Sequence, residues 1–434
     1  MKYEAINPAL FKSNRQRFMQ EMLPDSIAIF NSNDLMPRNG DCYFPFRQNS
    51  DLFYLSGLDQ EETIVVLFPD CIKNGFQEVA FIKKTDKYIA QWEGHKYTKA
   101  EAAVVSGIQK IYWLDEMESI LNELMLLSKR IYINTNENDK FNSPVTSRDL
   151  RFAKDLRKRY PVHEYHRSQP ILKKLSMIKS ELEVLIMQKA IDITASAFDR
   201  VLKFTEPGVM EYEIEAEITA EFIRKRANGH AYEPIVASGK GACVLHYVTN
   251  NMECNDGDLI LMDFGAEYAN YAADLSRTIP VNGKFSPRQA AVYNAVLRVM
   301  KTATEMLIPG TSMDIYHKEV GILMEIELLK LGLIDKTDIK NQDPKWPAYK
   351  KYFMHGTSHH LGLDVHDLSN RYTPIKAGMV FTCEPGIYIP EEKIGVRIEN
   401  DILVTNGAPV DLMADIPREI EEIEEIMKTE GRRR

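Results

Sequence analysis

The second half of the chain repeats one order of helices and strands, and this repeat constrains the fold more than any other feature. One helix ends at Pro207-Gly208 and another follows at once. Later, a helix that opens at Ser286-Pro287 stops at Pro309-Gly310 and is again followed by a helix. Each helix pair precedes predicted strands, at 232–280 and at 379–405. This order predicts a diverged duplication, whose two similar halves would leave a cleft between them.

The first part of the chain has a different pattern, in which strands alternate with helices. Short runs of β-branched or aromatic residues predict strands, and the segment 116–127 predicts a helix. The strand runs are 26–30, 63–68, 78–82 and 130–133. We therefore predict an α/β domain. Because neither GxGxxG nor GxxxxGK[ST] occurs in the chain, nucleotide binding has no support.

A long helix marks the change from the first part to the second. Ser180 followed by Glu183 is the signature of a capping box, and apolar residues then recur at helical spacing over 182–201. We place the boundary so that a smaller domain covers 1–172 and a larger one covers 173–434. The combination makes the overall fold class α+β.

Charge and composition limit the classes of partner. The net charge of −9 argues against nucleic acid and against an anionic membrane, which are bound by clustered lysine and arginine. No apolar run approaches the roughly 18 residues that span a bilayer, and the chain does not open with a signal peptide. The five cysteines include no CxxC pair, which fits reduced thiols. We expect a cytoplasmic protein that binds neither nucleic acid nor membrane.

The segment 259–280 is predicted to form a hairpin that brings two aspartates together. Asp263 ends an apolar strand, where an unpaired carboxylate is costly to bury. With the turn centred between Tyr268 and Ala269, Asp263 lies opposite Asp274, and opposite residues have Cβ atoms roughly 4.5–5.5 Å apart. Two like charges at that distance require a cation or a shared proton. The hairpin alone leaves open a simpler explanation, one exposed aspartate and one turn aspartate.

Four of the ten histidines of the chain fall within 355–366. A single histidine is usually structural, but a cluster beside glycines indicates metal ligation or proton transfer. The apolar residues Leu361, Leu363 and Val365 between the histidines argue against an exposed histidine-rich loop.

Two further segments supply carboxylates. Glu384 precedes Pro385-Gly386, and a strand predicted at 395–404 carries Arg397 and Glu399 on the face opposite its apolar residues. Taken alone, this strand favours a surface salt bridge between Arg397 and Glu399.

Together these segments offer four carboxylates and one imidazole as candidate metal ligands. Hard oxygen donors with one imidazole suit Mn, Fe, Co or Zn, and carboxylates that bridge could hold two ions. Two divalent ions roughly 3.5–4 Å apart can share a hydroxide and polarise a carbonyl group. The candidates are Asp263, Asp274, His359, Glu384 and Glu399.

The ordered motifs resemble those of the Xaa-Pro aminopeptidases (aminopeptidase P), metallopeptidases of family M24 with the pita-bread fold. The resemblance covers nearly the whole chain. It rests on Leu245-His246-Tyr247, the Asp263 and Asp274 pair, Ser358-His359, 361–367, Glu384-Pro385-Gly386, 396–399 and, in the N-terminal half, 46–57. It implies a pita-bread catalytic domain with a pseudo-two-fold repeat, preceded by a smaller α/β domain. It also implies removal of the N-terminal residue from peptides whose second residue is proline, with two divalent ions, usually Mn²⁺.

The resemblance assigns roles to the residues around the reacting bond. Asp274 and Glu399 would bridge the two ions. His246 and His366 would bind substrate and steady the reacting carbonyl and the developing gem-diolate. Glu384 would take the proton from the bridging water and pass it to the proline nitrogen.

Further residues are implied around the substrate. His355 would lie near the substrate and Arg397 beside the site. Because an Xaa-Pro bond has no N–H, selection for proline requires a ring-shaped pocket, of which Tyr388 is a candidate wall and equally an ordinary core tyrosine. In relatives, a tryptophan loop of the N-terminal domain reaches the site of a neighbouring subunit. Trp92 matches that position, which implies a homodimer or homotetramer, and Arg371 is the candidate for a family arginine.

Two alternatives stay open on the sequence. Prolidase, the Xaa-Pro dipeptidase, shares the fold and the ligands, although Ser358 before His359 and the run 361–366 favour the aminopeptidase. A non-catalytic peptide- or protein-binding module on the same fold would have lost metal ligands, whereas all five positions are filled here.

Overall fold

The computed structural model describes residues 3–138, 140–141, 143–370 and 372–429, so Arg371 lies outside the described residues. The chain divides into two compact units, Tyr3–Ser176 and the residues from Met177 onward. Residue 172, where the sequence places the domain boundary, lies inside the last helix of the first unit. None of the helices in the described part of the chain has the length and apolar character required to span a membrane.

The first unit is built around one mixed sheet. Its elements are α1 Ala9–Gln20, β1 Ser26–Asn31, β2 Pro37–Asn39, β3 Cys42–Tyr43, α2 Ser50–Ser56, β4 Ile64–Leu67, β5 Glu78–Ile82, α3 Lys87–Glu93, α4 Lys99–Ser106, β6 Lys110–Trp113, α5 Met117–Leu127, β7 Arg130–Ile133, α6 Arg148–Arg159, β8 Glu164–Arg167 and α7 Gln169–Ser176. The strand order is β6-β5-β4-β1-β7-β8, with β1 antiparallel to β4 and parallel to β7. Buried residues of α5 and α6, such as Leu124 and Leu156, cover one face of this sheet. The predicted strands and the helix of the α/β part are confirmed, with shifts of one or two residues at some ends.

The second unit contains the repeated order of helices and strands. Its elements are α8 Glu181–Phe204, α9 Glu211–Arg224, β9 Gly229–His230, β10 Ile235–Ser238, β11 Leu259–Phe264, β12 Ala266–Tyr268, β13 Tyr271–Ala272, β14 Leu275–Pro280, α10 Pro287–Glu305, α11 Met313–Lys330, α12 Lys336–Lys340, β15 Val380–Cys383, β16 Gly386–Ile389, β17 Ile394–Arg397, β18 Asn400–Leu403, β19 Val410–Asp411 and α13 Ile420–Thr429. The pair α8–α9 precedes the antiparallel sheet β10-β11-β14, and the pair α10–α11 precedes the antiparallel sheet β15-β18-β19. The order predicted for both halves is therefore present.

Side-chain caps fix where the first helix of each pair begins. Ser180 accepts a hydrogen bond from the Glu183 amide, and the Glu183 carboxylate accepts one from the Ser180 amide at 2.8 Å. Ser286 caps α10 in the same way, with Pro287 at the first helical position, where a missing N–H costs nothing. Both predicted helix starts are confirmed.

Candidate metal centre

The hairpin β11–β14 brings two aspartates to one face, although not in the predicted register. Asp263 pairs with Ser276 rather than with Asp274. The turn is centred on Ala269 and Asn270, which both have positive φ, the backbone geometry that suits a tight two-residue hairpin. The predicted register was therefore wrong. Asp274 is two positions from Ser276, and because side chains alternate between faces, it still shares the face of Asp263.

Close approach of the two hairpin arms depends on a glycine. A Cβ added to Gly265 would lie 1.7 Å from the carbonyl oxygen of Ala273, so every other side chain would force the arms apart. With the arms this close, the hydroxyl of Tyr232 lies 2.6 Å from Oδ1 of Asp263 and 2.5 Å from Oδ1 of Asp274. Tyr232 thus bridges the two carboxylates. It lies outside every sequence motif, in the segment before β10, and the sequence reasoning missed it.

Three potential ligands converge where the two sheets meet. Atoms of Asp274, His359 and Glu399 all lie within 4.8 Å of one another. Nε2 of His359 is 3.4 Å from Oδ2 of Asp274 and 3.7 Å from Oε1 of Glu384. Nδ1 of His359 lies 3.0 Å from the carbonyl oxygen of His360, which can only accept, so Nδ1 carries the hydrogen. Nε2 therefore faces the carboxylates and, when the ring is neutral, presents its lone pair to them, as a metal-ligating histidine does.

The electrostatics of these residues fit a cationic occupant. Burial raises the pKa of Asp263, even against the positive charge of Arg397, and raises that of Glu384 to about 7. Burial, with the charge of Asp274 second, raises the pKa of Glu399 well above its usual value. Burial alone would lower the pKa of His359, but its hydrogen bond to Asp274 and the charge of Glu384 raise it to about 9. The carboxylates thus draw protons to themselves and to the imidazole, which is the behaviour of an anionic cavity suited to divalent ions.

Arg397 is buried and does not form the surface salt bridge that its strand favoured. The predicted strand 395–404 is split, because β17 ends at Arg397 and β18 begins at Asn400. Arg397 is 3% exposed and donates from Nη2 to Oδ2 of Asp263 at 2.6 Å and from Nε to Oγ of Ser276 at 2.8 Å. Oγ of Ser276 in turn donates to Oε2 of Glu399 at 2.7 Å. One arginine and one serine therefore orient carboxylates from both halves of the unit.

A row of hydrogen bonds runs from Arg397 to His355. Nη1 of Arg397 donates to the Tyr388 hydroxyl at 2.9 Å, which lies 2.8 Å from Nε2 of His355. Nδ1 of His355 lies 2.7 Å from the carbonyl oxygen of Gly356 and 3.6 Å from Oε2 of Glu384. Burial, and then the charge of Arg397, lowers the pKa of His355 to about 3, so its ring is neutral. Tyr388 is fully buried, which matches the core role that the sequence left open for it.

The remaining predicted site residues are exposed. The ring of His366 is 4.5 Å from that of His359, centroid to centroid, in an edge-to-face arrangement. His246 lies in the loop before β11, close enough for its charge to lower the pKa of His355. Trp92 belongs to the first unit, where its side chain on α3 is 74% exposed and contacts the ring of Tyr88. His366 and His246 are thus exposed side chains beside His359 and His355, respectively.

Comparison with known sequences defines the class of protein. The chain matches the profile of metallopeptidase family M24 over residues 186–406 and that of the aminopeptidase P N-terminal domain over residues 11–132. The chain belongs to metallopeptidase family M24. Membership implies divalent metal ions and peptide substrates, which agrees with the donor set above.

Particular relatives match over nearly the whole chain. The Xaa-Pro aminopeptidase of Haemophilus influenzae is 34% identical over 429 residues, covering 96% of both chains. That of Escherichia coli K12 is 34% identical over 432 residues, covering 96% of this chain and 97% of its own.

Solved structures of aminopeptidase P share the fold of this chain. A putative aminopeptidase P from Bacillus anthracis superposes with a TM-score of 0.90 at 34% identity, covering 98% of this chain and 99% of its own. Zinc-substituted E. coli aminopeptidase P in complex with product superposes with a TM-score of 0.88 at 32% identity, covering 99% and 100%. The predicted α+β fold, a pita-bread domain preceded along the chain by a smaller N-terminal domain, is confirmed.

The pKa shifts predict how the stability of the metal-free protein depends on pH. The pKa of Glu384, about 7 when folded, exceeds the ordinary 4.5, so the folded chain binds more protons than the unfolded chain between these values. Its free energy of unfolding should therefore fall by about 3 kcal/mol as the pH rises from 4.5 to 7. His359, with a pKa of about 9 against 6.5, contributes stability below pH 6.5 that is lost as the pH rises toward 9.

Urea unfolding of chelator-treated protein at pH 5, 7 and 9 measures this dependence. The metal-loaded protein is the control, because bound cations keep the carboxylates ionised and the imidazole neutral, so its free energy of unfolding should not fall as the pH rises. If the free energy of unfolding of the metal-free protein rose from pH 5 to pH 9, the raised pKa values of Glu384 and His359 would be contradicted.

Proposed function

We propose that the chain is an Xaa-Pro aminopeptidase, which removes the N-terminal residue from peptides with proline in second position. One observation carries the proposal. Ligand atoms from both halves of the second unit, on Asp274, His359 and Glu399, lie within 4.8 Å of one another, in a chain similar over nearly its whole length to proteins named for this activity. The named relatives are aminopeptidases, which favours this function over prolidase.

The metal component of the proposal is a pair of divalent ions. The two ions would be held by Asp263, Asp274, His359, Glu384 and Glu399. Bound there, the ions would lower the pKa of a water molecule and polarise the scissile carbonyl. Four carboxylates and one imidazole suit Mn²⁺ among other divalent ions, and we propose Mn²⁺.

Glu384 is the proposed proton carrier. Its carboxylate lies beside two imidazoles, with Oε2 3.6 Å from Nδ1 of His355 and Oε1 3.7 Å from Nε2 of His359, and a carboxylate in such a position can act as a general acid–base group. The nitrogen of an Xaa-Pro bond carries no hydrogen, so it must gain a proton to leave as an amine. Glu384 takes a proton from the attacking water and delivers it to that nitrogen.

Three histidines surround the proposed position of the substrate. His366 and His246, exposed beside the carboxylates, donate hydrogen bonds to the reacting carbonyl and to the gem-diolate that develops from it. His355 stays neutral because its pKa is about 3, and its two hydrogen bonds fix its ring near Glu384. Arg397 holds Asp263 and Tyr388 in place beside the reacting bond.

Selection for proline is proposed to involve a second subunit. Because the tertiary amide offers no N–H to recognise, the shape of the pocket must select the ring. The exposed Trp92 has the large apolar surface that such a wall needs. We propose that it serves the site of a neighbouring subunit in a homodimer or homotetramer, and that the protein acts in the cytoplasm.

A substrate panel tests the function. With Mn²⁺ supplied, Xaa-Pro-Yaa peptides should lose their first residue faster than Xaa-Ala-Yaa peptides by on the order of 10²-fold, because the pocket is shaped for the ring. Cleavage is measured by detecting free Xaa, and chelator should abolish it. Cleavage of Xaa-Pro dipeptides alone would identify a prolidase, and absence of cleavage across the panel would remove the proposal.

A further inference from the structure

We propose that the buried ion pair between Lys179 and Asp367 positions His366 for catalysis, so that Lys179 is a positioning residue remote from the substrate. This inference rests on the proposed function. Nζ of Lys179 donates to Oδ2 of Asp367 at 2.7 Å, and the two side chains are 1% and 5% exposed. Asp367 is the residue directly after His366, so the pair fixes the backbone that carries the histidine.

The segment 361–367 forms a closed turn on the second sheet. At one end, the Leu361 amide donates to the carbonyl oxygen of Val380 at 3.1 Å. At the other end, the Asp367 amide donates to the carbonyl oxygen of His360 at 3.0 Å. His366 lies between these two anchors, and its position depends on the second of them, where the ion pair is located.

A glycine makes room for the ion pair. A Cβ at position 362 would lie 2.2 Å from Oδ2 of Asp367 and 2.9 Å from Cε of Lys179. The carbonyl oxygen of Gly362 also accepts a hydrogen bond from the Ala272 amide at 2.8 Å, in the hairpin arm that carries Asp274. The pair, the turn and a proposed metal ligand are therefore linked through one residue.

The location of Lys179 is not explained by the helix that follows it. Its amide donates to the carbonyl oxygen of Gly378 at 2.8 Å, and the next residue, Ser180, caps α8. A cation at a helix N-terminus opposes the helix dipole, and burial of a charged pair is weak support for stability. The proposed role of fixing the turn that bears His366 explains why a lysine is buried here, despite the unfavourable helix dipole and the cost of burying a charged pair.

The first experiment compares Lys179→Met with the wild type. If His366 acts on the gem-diolate, its displacement by about an ångström should lower kcat by on the order of 10²-fold and leave KM nearly unchanged. Metal content per chain should also stay unchanged. Arg15→Met, which breaks the buried Arg15–Glu78 pair of the first unit (2.9 Å), is the matched control and should keep kcat.

A double-mutant cycle separates positioning from general destabilisation. In a His366→Ala background, Lys179→Met should cause no further loss of kcat, because its target is already gone. An equal loss in both backgrounds would overturn the proposal. If Lys179→Met does not fold, Asp367→Asn, which keeps the shape and removes the charge, takes its place in the cycle.

A crystal structure of the variant distinguishes this inference from the proposed function. Movement of His366 away from its 4.5 Å ring separation from His359 would support positioning, and an unmoved ring would overturn it. This readout needs no activity. A wild type that cleaves no Xaa-Pro peptide would overturn the proposed function and leave the crystallographic result to decide the role of Lys179.

Discussion

Glu384→Gln is expected to lower kcat by on the order of 10³-fold or more while the protein stays folded. General acid–base catalysis contributes roughly 10²–10⁴-fold, and this residue is proposed both to move the proton and to bind metal. Glutamine has the same shape but neither accepts nor returns a proton at neutral pH. Substrate affinity should change less than kcat, because the loss is concentrated in the transition state. Steady-state kinetics on an Xaa-Pro-Yaa peptide, with circular dichroism to confirm folding, measures the effect.

Glu327→Gln is the matched control for this substitution. Glu327 is also a buried glutamate of the second unit, but its partners are Arg298 and Lys330 on the surface of α10 and α11. The Glu327→Gln substitution should lower the free energy of unfolding and leave kcat unchanged. If Glu384→Gln retained more than a tenth of wild-type kcat, Glu384 would not be the proton carrier.

Asp263→Asn is expected to reduce metal affinity by on the order of 10²-fold or more, since even residues that only support a ligand contribute 10–100-fold. The amide is a weaker ligand than the carboxylate. It also withdraws the negative charge that Arg397 contacts at 2.6 Å, so a buried cation beside the cavity loses its partner and repels the metal. Elemental analysis after dialysis against limiting Mn²⁺ measures occupancy, and activity should fall with it.

Asp149→Asn provides the comparison for Asp263→Asn. Asp149 is a buried aspartate of the first unit, where it accepts a hydrogen bond from Nδ2 of Asn31 at 2.9 Å. Its substitution replaces a buried carboxyl group without touching the proposed ligands, and metal content should stay at the wild-type value. Full metal content in Asp263→Asn would show that Asp263 is not a ligand.

Local features of the fold were predictable because their causes lie within a few residues. The capping boxes at Ser180 and Ser286 and the strands Glu78–Ile82 and Arg130–Ile133 follow from nearest-neighbour chemistry and two-residue alternation. The hairpin shows where this reasoning stops. Its register depends on positive φ at Ala269, which no pattern of apolar residues reveals. The two aspartates still lie on the same face of the sheet because the predicted register was wrong by two positions, and an even shift leaves each side chain on its face.

The candidate site was predictable as a set of residue types but not as a network. Ordered motifs indicated the five proposed ligands, whereas their supports come from far along the chain. Tyr232 contacts Asp263 across 31 positions, and Ser276 contacts Glu399 across 123. Arg397 was expected at the surface because a strand pattern cannot show that a second sheet covers its polar face. Such contacts depend on tertiary packing, which sequence spacing does not encode.

The row of hydrogen bonds from Arg397 through Tyr388 and His355 to Gly356 has a direction. Each donor in the row points its hydrogen toward the carbonyl oxygen of Gly356, which has no hydrogen to donate. The guanidinium of Arg397, at the start of the row, does not release a proton near neutral pH. The row is therefore a dead end for proton conduction. A proton captured by Glu384 therefore has no route through this row, and the departing amine of the product is its proposed acceptor.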